Sequence, residues 1–130
     1  MERTAPADVA RAAMDAVQTR RRDDWLAMFS RDARVEDPVG HVPPIEDGEG
    51  LAAFWDNGVA GLKEIRFDID RAWETGEEAV LHGTVSIVTA TGQDANYDGV
   101  FAYRLDEQGK IAALRAFWDL PDVIAQLGAA

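Results

Sequence analysis

The sequence predicts an α+β domain: a strongly curved antiparallel β-sheet with N-terminal helices closing its open side. Three observations carry this. Apolar residues recur at helical spacing in the N-terminal part, they alternate with period two in the C-terminal part, and short turn sequences separate the alternating runs. Long strands joined by short hairpins curl, and helices laid across the curl leave a cone with an internal hollow. The 130 residues, 47% of them hydrophobic, suffice for one domain with a real core, spanning residues 1–130.

The first helix should begin near Pro6, with Thr4 or Ala5 before it, because proline suits a first helical turn. Val9, Ala13, Ala16 and Val17 form its apolar stripe. Arg20-Arg21-Arg22 closes it with charge that favours a helix C-terminus, a better account of these arginines than phosphate binding. Asp23 or Asp24 then caps a second, short helix carrying Trp25, Leu26, Met28 and Phe29. Ala33 to Asp37 reads as a short strand, and His41 to Gly50, rich in Pro, Asp and Gly, as a loop. A third helix places Leu51, Phe54, Trp55 and Val59 on one side and loosens at Gly58 and Gly61. Strands follow near Lys63–Trp73, Ala79–Ala90, Ala95–Asp106 and Lys110–Asp119, separated by Glu74-Thr75-Gly76, Thr91-Gly92 and Glu107-Gln108-Gly109.

Composition narrows the functions. A net charge of −11, from 24 acidic and 13 basic residues, repels nucleic acid and anionic membranes, so neither is expected as a partner. The chain has no cysteine, hence no disulfide framework, thiol nucleophile or cysteine-ligated zinc, and its two histidines do not make a histidine-rich metal site. Glu46, Asp47 and Glu49 match no ligand spacing and read as solvated loop residues. No cofactor or metal is expected. No segment is long and apolar enough to span a bilayer, and the N-terminus lacks the apolar run of a signal peptide, so the expected location is cytoplasmic.

Glu36-Asp37-Pro38-Val39-Gly40 is the most informative stretch. Extended residues alternate faces, so Val35 and Asp37 share one face and Glu36 takes the other. Pro38 ends the ladder, having no N–H to donate, and Gly40 permits a tight turn. If Val35 faces a core, Asp37 faces it too, at the rim. Desolvation there raises a carboxyl pKa above its free value of about 3.9 and makes it a proton acceptor of useful strength.

Val35-Glu36-Asp37-Pro38-Val39-Gly40, Ala52-Ala53-Phe54-Trp55, the run from Tyr103 to Ile111 and Ala116-Phe117-Trp118 together resemble the bacterial ketosteroid isomerases. These belong to the nuclear-transport-factor-2-like, or SnoaL-like, superfamily. The resemblance runs from about Arg22 to Trp118 and implies a cone of curved sheet and helices, a homodimer and an apolar pocket. It also implies that Asp37 is the general base, moving a proton between two carbons of a 3-oxo steroid through a dienolate. These isomerases are a standard illustration of a carboxylate base beside an oxyanion hole made of a tyrosine and a protonated aspartic acid. Here the tyrosine falls at Ala13 or Met14 and the aspartic acid at Phe101, none of which donates a hydrogen bond from its side chain. Losing one oxyanion donor typically costs ~10²–10³ in rate.

Three residues are candidate replacement donors: His82, Trp55 and Tyr103. Alternation puts His82 with Val80, Thr84, Ser86 and Val88 on the less apolar face of its strand, opposite Leu81, Val85 and Ile87. The family comparison places His82 inward. On that placement a dimer interface buries the Leu81 face. On that reading His82 donates to a substrate oxygen or acts as an acid opposite Asp37; the plain alternative is a partly exposed strand histidine. For Trp55 and Tyr103 the plain alternative is packing with a satisfied polar tip. Tyr97, Phe101 and Tyr103 share a strand face, as do Leu114, Ala116 and Trp118. The expected ligand-binding set is Phe29, Phe54, Trp55, Phe101, Tyr103, Leu114, Ala116 and Trp118, around a small steroid-like or polyketide-like apolar ligand. Asp98 and Arg104 face away from Phe101, toward solvent or a subunit interface. Three functions are open: a steroid isomerase using Asp37, a binder without turnover, and a cyclase or dehydratase using an Asp37–His82 pair. An Asp-Arg-Asp arrangement for epoxide opening is not evident.

Overall fold

The computed structural model of the protein describes residues 5–128. Helix α1 (Pro6–Gln18) begins with Pro6 in its first turn and Ala5 as its cap; Thr4, the other expected start, lies outside the described residues. Its buried stripe is Ala10, Ala13, Met14, Ala16 and Val17, and it lies across β2, β3 and β4 of the sheet. Helix α2 (Arg22–Ala27) starts at Arg22, with Asp23 and Asp24 in its first turn rather than capping it. The arginine run ties segments together. Arg20, at φ 63°, donates to the Val59 and Leu62 carbonyls, Arg21 pairs with Asp15 at 2.7 Å, and Arg22 with Asp56 at 2.9 Å.

Strand β1 (Phe29–Glu36) begins earlier than the sequence suggests, so Phe29 opens a strand instead of closing α2. Helix α3 (Gly48–Asn57) is capped by the Asp47 carboxylate, which accepts from the Gly50 N–H at 2.7 Å. A 3-10 turn (Val59–Gly61) leads into β2 (Leu62–Thr75), β3 (Glu78–Thr89), β4 (Asp94–Leu105) and β5 (Ile111–Phe117). The chain then forms a helix not foreseen from sequence, α4 (Leu120–Gln126), with Asp119 capping the Asp122 N–H at 3.0 Å and Pro121 in its first turn. Of the described helices, none is long and apolar enough to cross a membrane.

The sheet order is β1-β5-β4-β3-β2. The strands from β2 to β5 are antiparallel neighbours, while β1 joins β5 in parallel, with Val35 beside Leu114. A register shift between Ile69 and Arg71 bends β2, as bulges do. Gly83 sits opposite Ile69, where a Cβ would fall 2.8 Å from the Ile69 Cα and closer still to the Asp68 carbonyl oxygen. Only a residue without a side chain admits that approach, so Gly83 allows the curvature. On β3 the Leu81, Val85 and Ile87 face is buried, and the Val80, His82, Thr84 face is the outer one. The concave side meets α1, α2 and α3, and between them the core leaves a hollow. Leu81, Val85, Ile111 and Val35 are the largest fully buried apolar side chains of this core, each contributing about 1.5–3 kcal/mol by burial.

Candidate active site

Asp37 lies one residue past the end of β1, and backbone pairing fixes the chain on both sides of it. Val35 exchanges two 2.8 Å hydrogen bonds with Ile45 on one flank and sits in register with Leu114 on the other. Beyond the turn, the Val39 N–H donates to the Ala116 carbonyl at 2.9 Å. Pro38 between them is fully buried, its peptide bond to Asp37 is cis, and Gly40 takes φ 86°. Glu36 points the other way, held by Arg115 at 3.0 Å and Arg34 at 3.6 Å. The nearest arginines are therefore occupied on the opposite side.

Val35 and Asp37 both line a cavity of about 260 Å³. Helix α1 supplies Ala13, Met14 and Val17; Trp25 and Phe54 come from α2 and α3. The sheet contributes Ile65, Phe67, Ile87, Tyr97, Phe101, Tyr103 and Leu114, and Trp118 and Val123 close the α4 end. Gly58, Val59 and Leu62 form a further wall, the segment that Arg20 fastens. Among the described residues, no lysine, arginine or histidine belongs to this lining, and Asp37 is its one carboxyl. Ligand pockets usually span roughly 300–1,000 Å³, so this space suits a compact guest.

Burial pushes the Asp37 carboxyl above the usual carboxylate range. One hydrogen bond opposes that: Trp118 Nε1–H donates to Asp37 Oδ1 at 2.7 Å. The Trp118 ring in turn stacks on Tyr97, centroids 4.5 Å apart at 25°. Burial, with a smaller push from the Asp37 charge, raises the phenols of Tyr97 and Tyr103, so both stay protonated and both lie within reach of that charge. The result is a poorly solvated carboxylate facing an apolar space, with two phenols nearby. Such a group can take a proton from carbon when the charge it creates is stabilised elsewhere.

The structure brings together Asp37, Phe54, Phe101, Tyr103, Leu114 and Trp118 from the sequence-derived set. Four others stand apart. His82 is on the outer face of β3, with its Nδ1 2.7 Å from Asp70 Oδ1, because strand alternation turns it away from Leu81 and Val85. The plain periodicity of β3 was the better guide, and no Asp37–His82 pair exists. Phe29 and Trp55 pack on Trp25 at 4.7 and 5.4 Å between centroids, and neither lines the Asp37 cavity; Trp55 instead borders a separate hollow beside Arg20, Leu62 and Lys63. Ala116 is sealed at 0% exposure in register with Phe101 and does not line the hollow. Tyr97 is the polar residue not singled out; sharing a face with Phe101 and Tyr103 was its signal. Among the described residues, no group of three or more His, Asp or Glu side chains could hold a metal ion.

The profile of the SnoaL-like domain matches residues 10–114. The chain belongs to the SnoaL-like family. A Delta 5-3-ketosteroid isomerase from Mycobacterium sp. is 26% identical, covering 92% of this chain and 97% of its own, with a TM-score of 0.84. A Mycobacterium tuberculosis protein in complex with estradiol-17β-hemisuccinate has 24% identity, coverage of 92% and 98%, and a TM-score of 0.84. An LEH-like epoxide hydrolase from M. tuberculosis has 19% identity, coverage of 94% and 88%, and a TM-score of 0.80. SnoaL-like, NTF2-like architecture thus accommodates different chemistries, and fold alone does not choose among them.

Proposed function

We propose that this SnoaL-like protein is a ketosteroid-isomerase-like enzyme in which Asp37 moves a proton between two carbons of a flat, apolar carbonyl compound. One observation carries the reading: the carboxyl is desolvated, lines an apolar cavity and, among the described residues, has one donor, Trp118. Likeness to a mycobacterial ketosteroid isomerase supports a 3-oxo steroid as the first substrate to try. The step balances simply. Asp37 accepts the proton of a C–H beside or conjugated to the carbonyl, the C–H electrons form a C=C bond, and the carbonyl becomes an enolate. Protonated Asp37 then returns the proton to the far carbon of the dienolate, and the carbonyl reforms. Apolar walls exclude competing water and keep the carboxylate weakly solvated.

A second reading, a binder without turnover, is favoured by Ala13, Met14 and Phe101, which leave the cavity wall apolar where the isomerases place their donors. Formation of a conjugated 3-oxo-Δ4 product from a 3-oxo-Δ5 steroid separates the two. The isomerase reading expects absorbance growth above the buffer rate; binding with no growth supports the binder. A cytoplasmic homodimer belongs to the same proposal. Val80, Val100, Ala102, Ala113 and the 40% exposed Phe117 give the outer sheet face apolar surface for a second copy. Sedimentation equilibrium at twice the 14.2 kDa chain mass would support it.

A further inference from the structure

We infer that the Tyr103 hydroxyl is the group that meets the ligand's oxygen, and that the site therefore takes neutral planar ketones. This rests on the proposed use of the Asp37 cavity and names what recognises the ligand there. Tyr103 is only 5% exposed and lines the cavity from the middle of the sheet, in register with Leu114. No described residue hydrogen bonds its hydroxyl. Yet no fully buried side-chain oxygen or nitrogen goes without a partner among the described residues, so the Tyr103 oxygen opens onto the hollow. An unpaired polar group in an apolar wall is costly to keep, and Phe101, two residues earlier on the same strand face, carries a ring without one. A ligand acceptor gives that hydroxyl a partner.

The chemistry matches the position. Burial and the Asp37 charge hold the phenol protonated, so it donates and does not titrate near neutrality. As Asp37 removes a carbon-bound proton, negative charge gathers on the ligand oxygen, and a fixed O–H donor is worth most at that moment. No proton leaves Tyr103; its hydrogen bond shortens as the enolate forms and relaxes when the carbonyl returns. Tyr97, stacked on Trp118, is also without a hydrogen bond from a described residue and is the natural second donor on the same strand face. Among the described residues the lining holds no cation to receive a carboxylate or phosphate, and the Asp37 charge repels both. Neutral acceptors remain, and among them a ketone is the one whose oxygen gathers charge as Asp37 takes a carbon-bound proton.

The test compares Tyr103→Phe with wild type on two probes of one shape: a planar 3-oxo steroid and its analogue with CH₂ in place of the 3-carbonyl. Tryptophan fluorescence reads the Kd of each, and the infrared stretch of a ¹³C-labelled carbonyl reads its hydrogen bonding. The ketone should lose roughly 3- to 10-fold in affinity and its stretch should rise, while the deoxo analogue is unmoved. Where wild type turns the ketone over, kcat should fall ~10²–10³-fold. Because only a hydroxyl is removed, the melting temperature should hold or rise, which shows that the variant folds. An unchanged ketone affinity and stretch in Tyr103→Phe overturns the inference, as does a wild type that prefers the deoxo analogue or binds neither probe. Selective loss of the ketone with no turnover by wild type supports the inference and removes the isomerase reading instead.

Discussion

Replacing Trp118 by Phe isolates the polar contact that the described residues give the candidate base. The ring and its stack on Tyr97 are largely kept, and only the Nε1–H that donates to Asp37 Oδ1 at 2.7 Å is lost. A hydrogen bond to a charged group contributes about 1.5–3 kcal/mol. In the native protein this contact favours the ionised carboxylate against the larger effect of burial. Without it, burial is unopposed and the Asp37 pKa rises further. At pH values below the native midpoint, the ionised fraction should fall roughly 10- to 150-fold, since each 1.36 kcal/mol is a factor of ten. The rate should recover at higher pH, where the carboxyl ionises again. Two measurements read this: the acid limb of kcat/KM on a 3-oxo-Δ5 steroid, and the aspartate ¹³Cγ shift titrated by NMR. The second needs no activity. An Asp37 titration midpoint that stays in place, or moves down, refutes the claim that Trp118 stabilises the anion.

Asp37→Asn should lower turnover by about 10²–10⁴ on the scale of general-base catalysis, measured by steady-state absorbance. The same variant should be more stable than wild type near neutrality. The folded pKa of Asp37 lies above its unfolded value, so its stabilising effect is present below the unfolded value and lost as pH rises through the folded one. Urea denaturation should show the gap in favour of Asn closing as pH falls through the native midpoint. His82→Ala should leave steroid affinity and turnover within twofold of wild type by the same titrations, roughly the noise of a surface change. Gly83→Ala should destabilise by ~1–3 kcal/mol in urea melts, because its Cβ meets the backbone of β2 at the bulge.

Much of this was legible in the residues, and the failures have physical causes. The strands β2 to β5 show in period two, and their turns in glycine. The acid-proline pair predicts a carboxyl at a strand end, because proline removes a ladder donor and alternation ties Asp37 to Val35. Helix α4 was hidden: its seven residues are too few for a periodic signal, and Asp119 reads equally well as a strand terminus or a cap. Phe29 sits where a short apolar helix and a strand share one pattern. His82 lies outward, as alternation along β3 predicts and against the inward place that the family resemblance implies, and the buried Leu81 face shows that the sheet interior, not a second subunit, claims those apolar residues. Which aromatic rings reach the cavity depends on curvature. The bulge at Ile69/Arg71 and the packing of Trp25 against Phe29 and Trp55 decide that, and neither follows from periodicity.

The most direct measurement is the fate of deuterium placed on the carbon between the carbonyl and the C=C of a planar 3-oxo-Δ5 steroid, followed by mass spectrometry in H₂O with wild type and Asp37→Asn side by side. Wild type should form the conjugated product well above the buffer rate with deuterium carried to the far carbon, and the variant should lose that transfer. Product formed only at the buffer rate by wild type, or equal transfer by both proteins, would contradict a proton-transfer role for this carboxyl.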